Sequence, residues 1–317
     1  MTRVAAIDCG TNSIRLLVAD VVTSAEGRRL TDLHREMEVV RLGYGVDRTG
    51  VIDPAAMKRT LVAVERHARI CRELGAEQVR FVATSASRDA QNAADFVAGV
   101  HQAFGDFDVT PEVVSGEEEA QLSFSGATGD LLAAGIPGPY LVIDLGGGST
   151  EFVRGTEQVV AGLSLDIGSV RMTERHLHSD PPTPAEVAAA TADIESAIDT
   201  AEARVPLTDI GTVVGLAGSI TTVTAHALGL TAYESAAIHL ARADRATHIA
   251  AATDLLERSR ASRAGLGFMH PGRVDVIGAG ALIWRQILRR VELRSPGAGV
   301  VVSEHDILDG IALSIAS

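Results

Sequence analysis

The chain has 317 residues, 46% of them hydrophobic, with a formal net charge of -13 and two cysteines, Cys9 and Cys71. That length fits one to three domains, with two favoured, and the acidic balance argues against nucleic acid or a basic membrane surface as partner. Two cysteines far apart exclude a disulfide framework and a cysteine-type zinc site, and a small buried filler is the expectation for Cys9.

No apolar run approaches the roughly 20 residues that span a bilayer, and the N-terminus reaches Asp8 without a basic region or cleavage site. The expectation is a soluble, cytoplasmic protein. Lys58 is the sole lysine beside 27 arginines. No Gly-x-x-x-x-Gly-Lys-[Ser/Thr] loop can therefore exist, and any phosphate must be held another way.

The first lobe opens with strand, turn and strand over residues 3–20, a polar turn at 23–27, and a third strand over 29–42 ending in Gly43-Tyr44-Gly45. Asp53-Pro54 opens a helix as cap and first residue, and Gly75 closes it. A strand over 79–84, a helix over 90–104, a strand over 109–114 and a helix from Ser115 follow. This β-β-β-α-β-α-β-α order predicts a mixed sheet with helices on its faces.

Glycines and prolines between 126 and 139 make that stretch the expected crossing to a second lobe. The second lobe repeats the opening: two strands about a glycine turn, then a third over 158–165. Thr183 and Glu186 form a capping box for a helix running to about Arg204. A strand over 212–217, a turn at Gly218-Ser219 and a helix over 221–228 come next. A helix over 243–259 precedes Gly278-Ala279-Gly280, read as a turn, and a helix from Ala281. A breaker stretch over 294–299, a short strand and a helix from Glu304 end the chain. The expected division is 1–128, 129–302, and a C-terminal helix over 303–317 packing back on the first lobe.

The chemistry gathers in Ile143-Asp144-Leu145-Gly146-Gly147-Gly148-Ser149-Thr150-Glu151. Three adjacent residues without Cβ let the backbone approach an anion and aim several N–H groups at it. Asp144 and Glu151 flank the turn with oxygens for a hard cation such as Mg²⁺. Alone, such a segment reads equally as a tight hairpin turn. It is duplicated, however: aligning Ile7-Asp8 with Ile143-Asp144 also aligns Gly10 with Gly146 and Ser13 with Ser149. The pair predicts two lobes of similar construction, gripping one polyanion in the cleft between them.

Other residues carry two readings each. Ser115-Gly116-Glu117-Glu118-Glu119-Ala120 fits a helix cap with acidic residues complementing the dipole. Successive helical positions point about 100° apart, so Glu119 can also project away from the cap and orient a water. Arg88, after Thr84-Ser85-Ala86-Ser87, is a surface arginine or a phosphate fork. Gly218-Ser219 is a helix cap or an anion site at a helix N-terminus. His176 and His178 are read as non-ligands, and Gly278-Ala279-Gly280 lacks the third glycine of a dinucleotide fingerprint.

Together, Asp8 to Ser13, Arg41-Leu42-Gly43-Tyr44-Gly45, Thr84 to Arg88, Ser115 to Ala120, Ile143 to Glu151 and Gly215 to Ser219 resemble the exopolyphosphatase and guanosine pentaphosphate phosphohydrolase family. That family lies within the actin-like ATPase superfamily. The resemblance implies two ribonuclease-H-like (actin-like) α/β lobes, with mixed five-stranded sheets flanked by helices and the active site in the interlobe cleft. It implies Glu119 as catalytic base, Asp144 and Glu151 as Mg²⁺ ligands with help from Asp8, and Arg88 on phosphate. The phosphate loops would be Gly10, Thr11, Asn12 and Ser13; Gly146, Gly147, Gly148 and Ser149; and Gly218 and Ser219.

The implied activity is Mg²⁺-dependent hydrolysis of terminal phosphate from inorganic polyphosphate, with Mn²⁺ or a monovalent cation as further candidates. Guanosine pentaphosphate is the alternative substrate. A non-hydrolytic nucleotide-binding switch and a sugar kinase are alternatives of other classes. A homodimer is the expected assembly, without nucleic-acid or membrane partners. Longer members carry a further helical region and often Pro-Glu-Arg where this chain has Pro271-Gly272-Arg273. Short polymers are therefore the expected substrates.

Overall fold

The computed structural model describes every residue except 25–26, 106, 108, 110 and 316–317. The chain forms two compact units, Met1–Gly126 with Ile307–Ser317, and Ala127–Asp306. The boundary after Gly126 falls at the start of the expected 126–139 crossing, two residues before the expected division at 128, and lies inside a helix that continues to Ala133.

In the first unit β1 (Thr2–Cys9), β2 (Ser13–Ser24) and β3 (Gly27–Val39) form an antiparallel meander. The polar turn expected at 23–27 includes residues 25–26, outside the described residues. Helices α1 (Val46–Thr49) and α2 (Pro54–Glu73) follow, then β4 (Gln78–Ala83), α3 (Ser85–Asp89), α4 (Ala93–Ala103), β5 (Glu112–Val113) and α5 (Gly116–Ala133). The strand expected over 109–114 is reduced to β5, and its residue 110 lies outside the described residues. The helix expected over 90–104 starts at Ala93, behind the unforeseen α3.

The five-stranded sheet runs β3-β2-β1-β4-β5, with β1, β4 and β5 parallel. Side chains alternate across β1. Ala5, Ile7 and Cys9 join the core with Val64 of α2 and Phe96 of α4, while Val4 and Ala6 pack with Leu122 of α5. Asp53 caps α2 by accepting the Ala55 and Ala56 N–H groups at 2.9 and 3.0 Å, and Gly75 takes φ +69° at its end.

The second unit contains β6 (Tyr140–Leu145), β7 (Thr150–Gly155), β8 (Val159–Leu165), α6 (Ser169–His176), α7 (Pro184–Glu202), β9 (Thr212–Leu216) and α8 (Ala217–Ala227). It continues through α9 (Ser235–Ile238), α10 (Arg245–Glu257), α11 (Arg260–Ala264), α12 (Ile277–Arg294) and β10 (Gly299–Val302). Its sheet order, β8-β7-β6-β9-β10, repeats the first: an antiparallel meander, then two parallel strands. The mixed five-stranded sheets expected from the sequence are thus present in both units.

Two sequence expectations are corrected here. Gly218-Ser219 is no turn, because α8 already begins at Ala217, whose φ is +66°. Gly278-Ala279-Gly280 lies inside α12. Those glycines serve packing: a Cβ on Gly278 would lie 2.6 Å from the Arg263 guanidinium, and one on Gly280 2.5 Å from Ser219 Oγ. The Thr183–Glu186 capping box is formed as expected. The last helix, α13 (Ile307–Ile315), starts later than Glu304 and belongs to the first unit. There Asp309 pairs with Arg35 of β3, and Gly310 sits against the Leu122 carbonyl, where a Cβ would come within 2.0 Å.

Candidate active site

Each unit presents one glycine turn, closed in the same way. Gly10 N–H donates to the Ser13 carbonyl at 2.9 Å, and Gly146 N–H to the Ser149 carbonyl at 3.0 Å. The carbonyls within both turns face protein. Thr11 O accepts from Gly43 N–H, and Asn12 O from Val40 and Arg41 N–H. Gly146 O accepts from Ser169 N–H, Gly147 O from Val170 and Arg171 N–H, and Gly148 O from Arg171 Nε. Among the described residues no acceptor meets the N–H groups of Thr11, Asn12, Gly147 or Gly148. A loop whose carbonyls are bound and whose amides remain available is electrostatically suited to an anion.

Glycine is required around these turns by space. A Cβ on Gly43 would fall 2.4 Å from Thr11 Cγ2, and one on Gly168 2.4 Å from the Gly147 carbonyl group. Gly168 is the N-cap of α6, whose first amides hold the Gly146 and Gly147 carbonyls. Ser169 Cβ would in turn lie 3.4 Å from a Cβ on Gly280, beside Ser219. The 146–149 turn, the start of α8 and the start of α12 are therefore packed through Ser169 and Gly280.

The aspartates before the turns have different neighbours. Asp144 stands directly opposite Glu151 in the β6–β7 ladder, and both are almost fully buried, at 5% and 1% exposure. Ser164 on β8 donates to Glu151 Oε1 at 2.7 Å. Like charges directly opposite across a ladder are destabilising unless a cation is shared, and an all-oxygen donor pair suits a hard ion such as Mg²⁺. Asp8 stands opposite Arg15 instead, and its Oδ2 accepts from Arg15 Nε at 2.9 Å and Nη2 at 2.6 Å. The first unit thus neutralises its aspartate with a guanidinium.

Of the three glutamates at the start of α5, Glu117 and Glu118 are exposed and Glu119 is buried, at 6% exposure. Glu118 N–H donates to the Ser115 cap Oγ at 3.2 Å, but its carboxylate accepts from Arg80 at 2.6 Å. Glu119 shares its helix face with Leu122, three positions on, which packs against β1 on the side where alternation also places Asp8. Arg88, at the end of α3, reaches Glu119 Oε2 at 3.4 Å and the Val114 carbonyl at 3.0 Å. Its guanidinium and the Glu119 carboxylate therefore form one charge-paired unit.

At the start of α8, the Arg273 guanidinium lies over Gly218, where a Cβ would come within 2.2 Å, and donates to Thr222 Oγ1 at 3.3 Å. Tyr233 donates to Glu304 at 2.6 Å and lies 2.8 Å from Thr221 Oγ1; burial and the nearby Glu304 push its hydroxyl above the ordinary range. Burial likewise raises the Cys9 thiol, which fits a filler. His176 pairs with Asp193 at 2.9 Å. Arg15, Gly168, Arg273 and Gly280 were not singled out from sequence as site residues. Arg15 carried one usable signal: it stands seven positions after Asp8, as Glu151 does after Asp144.

A model of the Ppx/GppA phosphatase family matches residues 18–315. Exopolyphosphatase 2 of Mycobacterium tuberculosis is 50% identical over 318 residues, spanning 100% of this chain and 99% of that protein. A crystal structure of an exopolyphosphatase-like protein matches with TM-score 0.92 at 42% identity, over 99% of this chain and 97% of that one. The structure of an Aquifex aeolicus member of the Ppx/GppA family matches with TM-score 0.79 at 28% identity, over 99% and 97%.

Proposed function

The chain belongs to the Ppx/GppA phosphatase family, and we propose that it hydrolyses the terminal phosphoanhydride of inorganic polyphosphate, releasing orthophosphate. One observation carries the reading: a buried carboxylate pair, Asp144 and Glu151, stands beside a glycine turn whose Gly147 and Gly148 N–H groups meet no acceptor among the described residues. Phosphoryl transfer needs little covalent chemistry from the protein; its barrier falls through positioning and charge stabilisation. In this proposal the amides at Thr11, Asn12, Gly147 and Gly148 fix phosphate oxygens, with Gly218 and Ser219 at the start of α8 as a further contact. Glu119 orients the attacking water and takes its proton, and Arg88 holds Glu119 while offering its remaining N–H groups to phosphate.

Asp144 and Glu151 would hold Mg²⁺, with Mn²⁺ as substitute; the ion would neutralise charge on the phosphoryl oxygens. Asp8, already paired with Arg15, has a supporting place in this scheme. Among the described residues no helix is long and apolar enough to cross a membrane. A cytoplasmic location and a homodimer belong to the same proposal, the latter checked by light scattering. The net charge of -13 limits steering of long polyanions, which supports a preference for short polymers.

The test is phosphate release from polyphosphates of defined length and from guanosine pentaphosphate, with wild type and Glu119→Gln. Higher kcat/KM on polyphosphate, and a loss of about 100-fold or more in the variant with intact folding, are expected. Higher kcat/KM on guanosine pentaphosphate would reassign the substrate, and a fully active variant would remove Glu119 from the chemistry.

A further inference from the structure

Three residues outside the proposed phosphate machinery converge in the second unit. Asp130 Oδ2 accepts from His305 Nδ1 at 2.5 Å and lies 3.5 Å from His239 Nε2. The two imidazole rings are 4.6 Å apart, centroid to centroid, and all three donor atoms lie within 4.8 Å of one another. Each residue is half-buried, leaving a route for solvent and ions.

We propose that Asp130, His239 and His305 form a metal site for a divalent transition ion of the Zn²⁺ class. Two imidazole nitrogens and one carboxylate oxygen are the donor set that borderline ions select, whereas Mg²⁺ prefers oxygen alone. Bonds of about 2.0–2.1 Å in tetrahedral geometry place ligand atoms about 3.3 Å apart. The two distances to Asp130 Oδ2 straddle that value, so small side-chain rotations suffice. Water completes the coordination on the exposed side.

The ligands are held in place by backbone contacts that have no part in the proposed catalysis. His239 is the C-cap of α9, and the next residue, Leu240, takes φ +57° and donates its N–H to the Val302 carbonyl at 2.7 Å. An isolated bridge from Ala241 to Val302 ties the same segment to β10. Ser303 then pins His305, its Oγ accepting the His305 N–H at 3.0 Å and donating to the His305 carbonyl at 2.9 Å. Preorganisation of this kind separates a binding site from a chance meeting of side chains.

Binding has an identifiable local cost. The ring nitrogens facing Asp130 must give up their protons to the other nitrogen of each ring. At His239 that nitrogen now accepts the Glu304 N–H at 3.3 Å, so this long hydrogen bond is exchanged for the metal bond. In sequence, Asp130 comes soon after the unit boundary at Gly126 and His305 just before the boundary at Asp306. The ion would therefore crosslink the two segments by which the second unit joins the rest of the chain.

The test uses tag-free, chelator-treated full-length protein, with Zn²⁺ followed by calorimetry and Co²⁺ by its visible ligand-field absorption. One ion per chain is expected, with affinity falling about 100-fold or more in both His239→Ala and His305→Ala and unchanged in Glu151→Gln. Circular dichroism of each variant verifies the fold, and Asp130→Asn serves as a second variant. Zn²⁺ binding no tighter in wild type than in His305→Ala overturns the proposal. Binding lost only in Glu151→Gln also overturns it, by assigning the ion to the carboxylate pair.

Discussion

Arg15 and Glu151 occupy equivalent positions in the two units, each directly opposite the aspartate that precedes a glycine turn, and they carry opposite charges. The same backbone device thereby carries a charge-neutral Asp–Arg pair in one unit and a doubly acidic Asp–Glu pair, the proposed Mg²⁺ ligands, in the other. Glu151→Gln is expected to raise the Mg²⁺ concentration for half-maximal phosphate release by about 10-fold or more, since one of two charged oxygen ligands is lost. Arg15→Gln should leave that Mg²⁺ dependence in place and raise KM for polyphosphate. Magnesium titrations at saturating substrate separate the two; a parallel shift in both variants would contradict the distinction.

Arg88 touches Glu119 at 3.4 Å and the Val114 carbonyl at 3.0 Å, so its removal takes one partner from the proposed base and a cation from the proposed site. Arg88→Ala is expected to lower kcat by roughly 100-fold, comparable to losing one preorganised donor, and to raise KM as well. Arg88→Lys should recover part of KM but little of kcat, because an ammonium cannot reproduce the fork. Steady-state kinetics on one defined polyphosphate decide this; full activity in Arg88→Lys would show that charge alone is needed.

Gly168→Ala and Gly43→Ala test the packing beneath the two turns. The new Cβ at 168 meets backbone of Gly147 and Gly148, which cannot move without moving the turn; at 43 it meets chiefly the Thr11 side chain. Gly168→Ala should cost about 2–3 kcal/mol and most of the activity, and Gly43→Ala about half that stability. Thermal unfolding and phosphate release measured together would reveal the order, and equal effects would contradict it.

His248 is buried against Trp284 in an edge-on contact, and neither ring nitrogen has a hydrogen-bond partner among the described residues. Burial pushes its pKa down to about 4, and His67 behaves likewise at about 4. Between that value and the unfolded value of about 6.5 the unfolded chain binds more protons, so stability is complete above pH 6.5 and falls as pH drops toward 4. His248→Leu is expected to stabilise by about 1 kcal/mol at pH 7 and to remove up to roughly 3 kcal/mol of the acid loss. Urea unfolding at pH 7 and 4.5 measures both; an unchanged acid slope would show that His248 contributes nothing to it.

The duplicated strand–glycine turn–strand, the helix at Asp53-Pro54 and the Thr183–Glu186 box were legible because each is written in adjacent residues with strong local preferences. Helices α3 and α9 span too few residues for a periodic pattern, and α6 was not anticipated either. Gly278-Ala279-Gly280 read as a turn because glycine is a poor helix former. Its real service is to admit Arg263 and Ser219, which come from elsewhere in the chain.

The sequence by itself determined the two-unit construction, both glycine turns and the set of acids from which a base and metal ligands could come. The 100° helical step could set Glu119 apart from the capping Glu118, and the family resemblance named it as base, but that Glu119 is buried while Glu117 and Glu118 are exposed depends on what is packed there. The sequence could not pair Asp8 with Arg15, seat Arg88 on Glu119, or gather Asp130, His239 and His305. Those relationships depend on strand register and helix packing between residues distant in sequence, and charges acquire their chemical meaning only from the neighbours that burial forces on them.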